Sequence, residues 1–118
     1  MTEFYAQGDL VLERVPDTPI SGQTIEPDFD GAAVLARGEV TGHRHAVYGG
    51  RVAMYRDDAL ARDIPPELYV GHIRIGGAEP AQLRHEEHDT ISLRPGTYRV
   101  RRQREFSREA VHYVVVQD

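Results

Sequence analysis

The 118-residue chain can bury one hydrophobic core but not two, so a single β-rich domain over residues 1–118 is expected. With 40% hydrophobic and 28% charged residues it has a soluble globular profile, and no apolar run approaches the roughly 18 residues of a membrane span. The absence of cysteine excludes disulfides and thiolate metal sites, and a formal charge of −5 argues against general nucleic-acid binding.

The opening "MTEFYAQGDL" carries an acid and no basic leader, so it does not read as a signal peptide; a cytoplasmic protein is expected. "GDLVLERV" (residues 8–15) places Leu10 and Leu12 on one face and Val11 and Glu13 on the other, the alternation of a strand. "PDTPISGQTIEPDFDG" is rich in turn formers and predicts a long irregular connection. "AAVLARGEV" (residues 32–40) predicts a strand. "HRHAVYGGRVAMYRD" predicts a hairpin in which Gly49-Gly50 supplies the positive φ angles of a tight turn. "DALARDIPPEL" has room for one helical turn before Pro65-Pro66 stops it. "LYVGHIRIGG" alternates as a strand. "TISLRPGTYRVRRQREF" predicts two strands joined around Pro95-Gly96, and the valine-rich "AVHYVVVQ" predicts a last one. About eight short strands with turn signals between them predict a mainly-β fold, a small β-barrel or β-sandwich.

Four of the six histidines fall in two short segments, "GHRH" and "RHEEHD". On a strand, residues two apart share a face, so His43 and His45 project side by side and can converge on one ion. His85 and His88 are three apart and share a side only in a turn, which the polar "RHEEHD" permits. Without cysteine, a divalent transition metal would take nitrogen and oxygen ligands, with zinc or iron fitting the imidazoles best. Glu86, Glu87 and Asp89 offer a carboxylate ligand, an orienting partner for an imidazole, or a general base. Glu39 is a weaker candidate. The competing reading is a pair of solvated, charged loops. Gly42, next to His43, allows either a kink that aims the histidines inward or an ordinary strand end; Gly38 fits the ordinary strand end better. His72 and His112 stand alone within predicted strands and read as structural.

"YRVRRQREF" places Tyr98, Val100, Arg102, Arg104 and Phe106 on one side, and Arg99, Arg101, Gln103 and Glu105 on the other. An inward arginine needs a carboxylate or an anionic ligand. Arg102 or Arg104 is thereby a candidate anchor for an anionic or phosphodiester substrate. The alternative is a solvent-facing basic strand paired with the surplus acids.

"GEVTGHRH", followed by "RHEEHDTISLRPGTYRVRRQREF", resembles a group of uncharacterised short bacterial proteins. Those proteins share a Gly-Glu-x-Thr-Gly-His-x-His segment and a His-x-Glu-His … Pro-Gly-x-Tyr … Arg-Gln-Arg-Glu-aromatic segment. The resemblance covers Gly38 to Phe106 and implies no activity. A looser similarity to cupins rests on Gly38, His43, His45 and the Pro95-Gly96 turn, and implies a metal role for His43 and His45 in a β-barrel. The cupin glutamate that follows the His-x-His pair is missing from "AVYGGRVAMY", and the second histidine pair precedes the Pro-Gly turn.

These readings give three functional expectations. The first is a metal-binding β-domain with ligands His43, His45, His85 and His88, extending to a metal-dependent hydrolase with Glu87 or Glu86 as base and Arg102 or Arg104 holding negative charge. The second is a metal-independent, nuclease-like enzyme, with paired histidines as acid and base and Tyr98 helping to stabilise a phosphate. The third is a non-enzymatic accessory module that binds a protein partner.

Overall fold

Short runs of alternating or wholly apolar residues, cut by glycine and proline, leave most of the backbone no regular partner except another strand. The computed structural model describes residues 2–28, 30–38, 42–49 and 51–103. The predicted strand "AVHYVVVQ", with His112, lies outside the described residues, as do Glu39, Arg104 and Phe106.

Ten strands follow one another along the described chain: β1 (Phe4–Gln7), β2 (Leu10–Val15), β3 (Gln23–Ile25), β4 (Ala33–Arg37), β5 (Arg44–Tyr48), β6 (Val52–Arg56), β7 (Tyr69–Ile75), β8 (Ala81–Arg84), β9 (Ile91–Leu93) and β10 (Gly96–Arg102). They form two antiparallel sheets, one of six strands in the order β1-β2-β10-β7-β6-β3 and one of four in the order β4-β5-β8-β9. Leu10, Leu12, Ile73, Tyr98 and Val100 of the larger sheet meet Leu35, Val47, Leu83 and Leu93 of the smaller in one core. The fold is mainly β, with two sheets sharing that core, as the alternation predicts. The only helical piece among the described residues is a 3₁₀ turn, Asp58–Ala61, in the place expected ahead of Pro65-Pro66. The Asp57 carboxylate accepts the Ala59 N–H at 3.1 Å and caps it. No helix among the described residues is long and apolar enough to cross a membrane.

Two pairings differ from local expectation. β5 and β6 are not a hairpin: β5 pairs with β4 and β8, whereas β6 pairs with β3 and β7. The chain crosses from one sheet to the other near Gly49. A Cβ there would lie 2.9 Å from that of Ala81, so Gly49 serves close approach to β8. Likewise β9 and β10, read as joined around Pro95-Gly96, belong to different sheets.

Tyr98 is wholly buried, its ring edge-on to Tyr5 at 5.8 Å. Its hydroxyl donates to the Arg94 carbonyl at 2.6 Å and accepts from Arg14 Nη1 at 3.3 Å. Burial pushes that hydroxyl up to about 12, so it stays protonated. Tyr98→Phe, which strands the Arg94 carbonyl, should cost about 1–3 kcal/mol in chemical denaturation. An unchanged denaturation midpoint in Tyr98→Phe would show that this hydroxyl does not help to hold the fold.

Arg99 extends from the opposite face of β10, its guanidinium 2.7 Å from Glu13 Oε1 and 2.7 Å from Asp63 Oδ1. This part of the arginine-rich strand pairs with acids, as the simpler reading of its composition holds.

Candidate functional site

The antiparallel register of β5 with β8 pairs Tyr48 with Gln82, Val47 with Leu83, and Ala46 with Arg84. Continued past the end of that ladder, it sets His45 opposite His85, Arg44 opposite Glu86 and His43 opposite Glu87. The side chains follow it. The His45 and His85 ring centroids are 4.3 Å apart and the Arg44 N–H donates to Glu86 Oε1 at 2.8 Å. Nδ1 of His43 lies 3.7 Å from Glu87 Oε1.

His43 and His45 do share a side, because both rings lie against His85, at 5.7 and 4.3 Å. A bend over residues 86–88 brings His88 back to the same side, 4.7 Å from His85 and 5.9 Å from His45. His85 is thus the centre of a four-imidazole group drawn from two segments forty residues apart. Gly42, with φ at +85°, turns the chain immediately before His43. At the start of β5, the Arg44 guanidinium is held by Asp28, Asp30 and Tyr48, which anchors the strand carrying the first histidine pair.

Donor atoms of His43, His85 and Glu86 all lie within 4.8 Å of one another. The Arg44 N–H and the nearby imidazoles lower the Glu86 carboxyl below its ordinary range, so it is an anion at neutral pH.

The other sheet supplies the opposite wall. The β1–β2 hairpin turns through Gly8-Asp9, with Gly8 at φ +61°, the left-handed conformation that a two-residue turn with glycine first requires. A Cβ on Gly8 would lie 3.0 Å from His88 Nε2 and 3.1 Å from His45 Cε1. Gly8→Ala should therefore cost about 1 kcal/mol or more in stability and displace both rings, seen as shifted His45 and His88 imidazole resonances. Unmoved resonances in a folded variant would show that the hairpin tip does not press on the site. Asp9 Oδ1 is 4.0 Å from His45 Nε2, and Arg102 Nη1 is 3.6 Å from Asp9 Oδ2. Arg102 thus reaches the rim through Asp9.

His45 is 5% exposed. Burial, with smaller contributions from His85, His88 and Arg102 opposed by Asp9, depresses it to about 4, so it is neutral at pH 7. Its Nδ1 lies 2.8 Å from Oε1 of Gln7, a residue equally well buried. The Gln7 amide nitrogen donates to the carbonyls of Leu83 at 3.1 Å and Asp89 at 2.9 Å. On His85, by contrast, Nδ1 accepts the Glu87 N–H at 3.0 Å. In the neutral rings, then, His45 carries its proton on Nδ1 and His85 on Nε2.

His72 stands apart from this group. It is buried, with Nδ1 2.6 Å from the Tyr69 hydroxyl and its ring stacked on Tyr55 at 5.5 Å. Reading the sequence singled out all four clustered histidines, Glu86, Glu87 and Arg102, but passed over Gln7, Gly8 and Asp9. A Gly-Asp turn signal is the only trace those three leave in the sequence.

Fold and site together define a small two-sheet β-domain with an imidazole cluster, edged by carboxylates, where the two sheets meet. The chain belongs to the family described as a domain of unknown function (DUF8820), whose model matches residues 6–103, a span that includes every residue of the cluster. No curated protein and no solved structure matches the chain.

Proposed function

We propose that this domain binds a divalent transition metal, zinc or iron, through the histidine cluster, in the cytoplasm. The observation that carries the reading is the convergence of His43, His85 and Glu86 donor atoms within 4.8 Å, with the His45 and His88 rings packed against the same central imidazole. Two or three imidazoles with one carboxylate make a donor set suited to either metal. Tetrahedral zinc with bonds of about 2.0–2.1 Å wants donors roughly 3.3 Å apart. His43 and His85 are partly exposed and Glu86 is exposed, so their side chains have room to close that far. Engaging Nδ1 of His85 displaces the Glu87 N–H, whereas engaging Nε2 moves the ring proton.

With one position left open, an ion held by these residues would supply Lewis-acid chemistry for a substrate oxygen or a bound water, which would make the domain a hydrolase. Glu87, beside His43, is placed to accept a proton. Arg102 adds positive charge at the rim and favours an anionic substrate. The outline that His43 and His45 share with cupin metal sites supports the same assignment of those two residues.

Titrating zinc into the chelator-treated full chain tests the reading. About one ion per chain, held against a competing chelator, is the expected result; no uptake of zinc or ferrous iron ends it.

A second reading rests on the complementary tautomers. An imidazole with a bare Nε2 (His45) beside one with a protonated Nε2 (His85) is a ready base and acid for phosphodiester cleavage without metal. It predicts cleavage of a generic phosphodiester that survives chelation; activity lost on chelation counts against it.

A further inference from the structure

We propose that Gln7 is the positioning residue of the histidine site, holding His45 as the tautomer whose Nε2 lone pair faces the cluster. The metal-affinity part of this inference rests on the proposed metal site; the tautomer part does not.

Hydrogen-bond supply fixes the orientation of both side chains. A primary amide has two N–H donors and one oxygen acceptor. Gln7 is 3% exposed, so water does not take its place as a partner. Both of its hydrogens are committed, one to the Leu83 carbonyl and one to the Asp89 carbonyl. The amide cannot be turned over, because that would set its oxygen against two carbonyl oxygens and leave them without a donor. Oε1 must therefore face His45, and only a protonated Nδ1 satisfies it at 2.8 Å. The remaining nitrogen, Nε2, has its lone pair free on the side of Asp9 and His88.

The same amide does a second thing. Leu83 is the third residue of β8 and Asp89 follows the bend that carries His85 and His88. By holding a carbonyl on each side of that bend, Gln7 clamps the second histidine pair to the end of β1 while it orients His45. One buried side chain of the larger sheet thus holds the His45 ring and both ends of the segment that carries His85 and His88.

Two substitutions separate these roles. Gln7→Met keeps the volume and removes every hydrogen bond. Gln7→Glu keeps an acceptor for His45 and loses both donors to the carbonyls. Histidine tautomers are read by nitrogen NMR of the full chain labelled at its imidazoles, without metal. Zinc affinity is measured separately, with zinc salt and a competing chelator.

The wild-type His45 is expected to show its proton on Nδ1, Gln7→Glu to keep it there, and Gln7→Met to lose that preference. Zinc affinity should fall about 10–100-fold in Gln7→Met, the usual cost of losing a partner that orients a ligand, with part of the loss restored in Gln7→Glu. A wild-type His45 protonated on Nε2 overturns the proposal before any variant is made. So does a folded Gln7→Met protein with the wild-type tautomer and wild-type zinc affinity. If Gln7→Met does not fold, Gln7→Glu decides: a His45 that no longer holds its proton on Nδ1 overturns the proposal. A wild type that takes up no zinc, with the His45 tautomers of wild type and variants as expected, removes the metal reading and leaves Gln7 in its role.

Discussion

His85→Ala should abolish stoichiometric metal binding while leaving the protein folded. His85 is the one ring within 6 Å of the other three, at centroid distances of 5.7 Å from His43, 4.3 Å from His45 and 4.7 Å from His88. Without it, His43 and Glu86 remain as one pair of donors within 4.8 Å and His45 and His88 as a second pair of rings 5.9 Å apart, with no central imidazole between the pairs. The loss should exceed the roughly 10–100-fold that removal of an orienting partner costs, because the proposed site would lose a direct ligand. His85 lies between β8 and the bend and is only partly buried, so its truncation removes little apolar contact, and stability should change by about 1 kcal/mol or less. His43→Ala should behave in the same direction. Elemental analysis of the purified, zinc-reconstituted proteins, beside thermal melts, checks the prediction. Wild-type zinc content and affinity in both variants would sink the assignment of these ligands.

The second large effect is on acid stability. His45 is depressed from its ordinary 6.5 to about 4 in the folded protein, with burial the main cause. Between those values the unfolded chain takes up a proton that the native state refuses, so the unfolded state binds more protons and stability rises with pH. Stability is accordingly whole above about pH 6.5, falls as the pH drops toward about 4, and levels off below for this residue. The full span corresponds to roughly 3 kcal/mol. Buried His72 is lowered by burial too and adds in the same direction. The carboxylates lowered by ion pairs, Glu3, Asp30 and Asp63, lose their contribution only at more acid pH, as they protonate. Denaturant melts of the metal-free protein between pH 7 and 4.5 therefore isolate the histidines. His45→Gln should flatten most of the slope, and an unchanged slope in that variant would place the proton uptake elsewhere.

Much of the secondary structure was legible because it is local. Alternation marked β2 and β7, the apolar run at residues 32–36 marked β4, and Pro65-Pro66 marked a limit for the 3₁₀ turn. The short strands β1, β3 and β8 went unread, since three or four residues carry too little periodicity to stand out from turn-rich surroundings. The β5–β6 hairpin misled for a related reason. A glycine pair between two apolar runs has the chemistry of a tight turn, but turn chemistry does not dictate whether the flanking strands pair. Here the centre of β5 is buried on both faces and takes partners on both edges within the smaller sheet, leaving β6 to the other.

The candidate site divides along the same line. By itself the sequence determined which chemistry is available: no thiolates, two histidine pairs, adjacent carboxylates, and a strand that sets His43 and His45 on one side. Residue type and a two-residue spacing suffice for that, because side-chain direction along a strand is a local property. Only the tertiary structure decided that the pairs meet, through a β5–β8 register that joins residues forty positions apart. It also committed the Tyr98 hydroxyl to Arg94 and Arg14 in the core, and brought Gln7, Gly8 and Asp9 from the other sheet onto the imidazoles. A glutamine's role rests on which buried partners its amide must satisfy, and those partners exist only once two sheets have closed over one core.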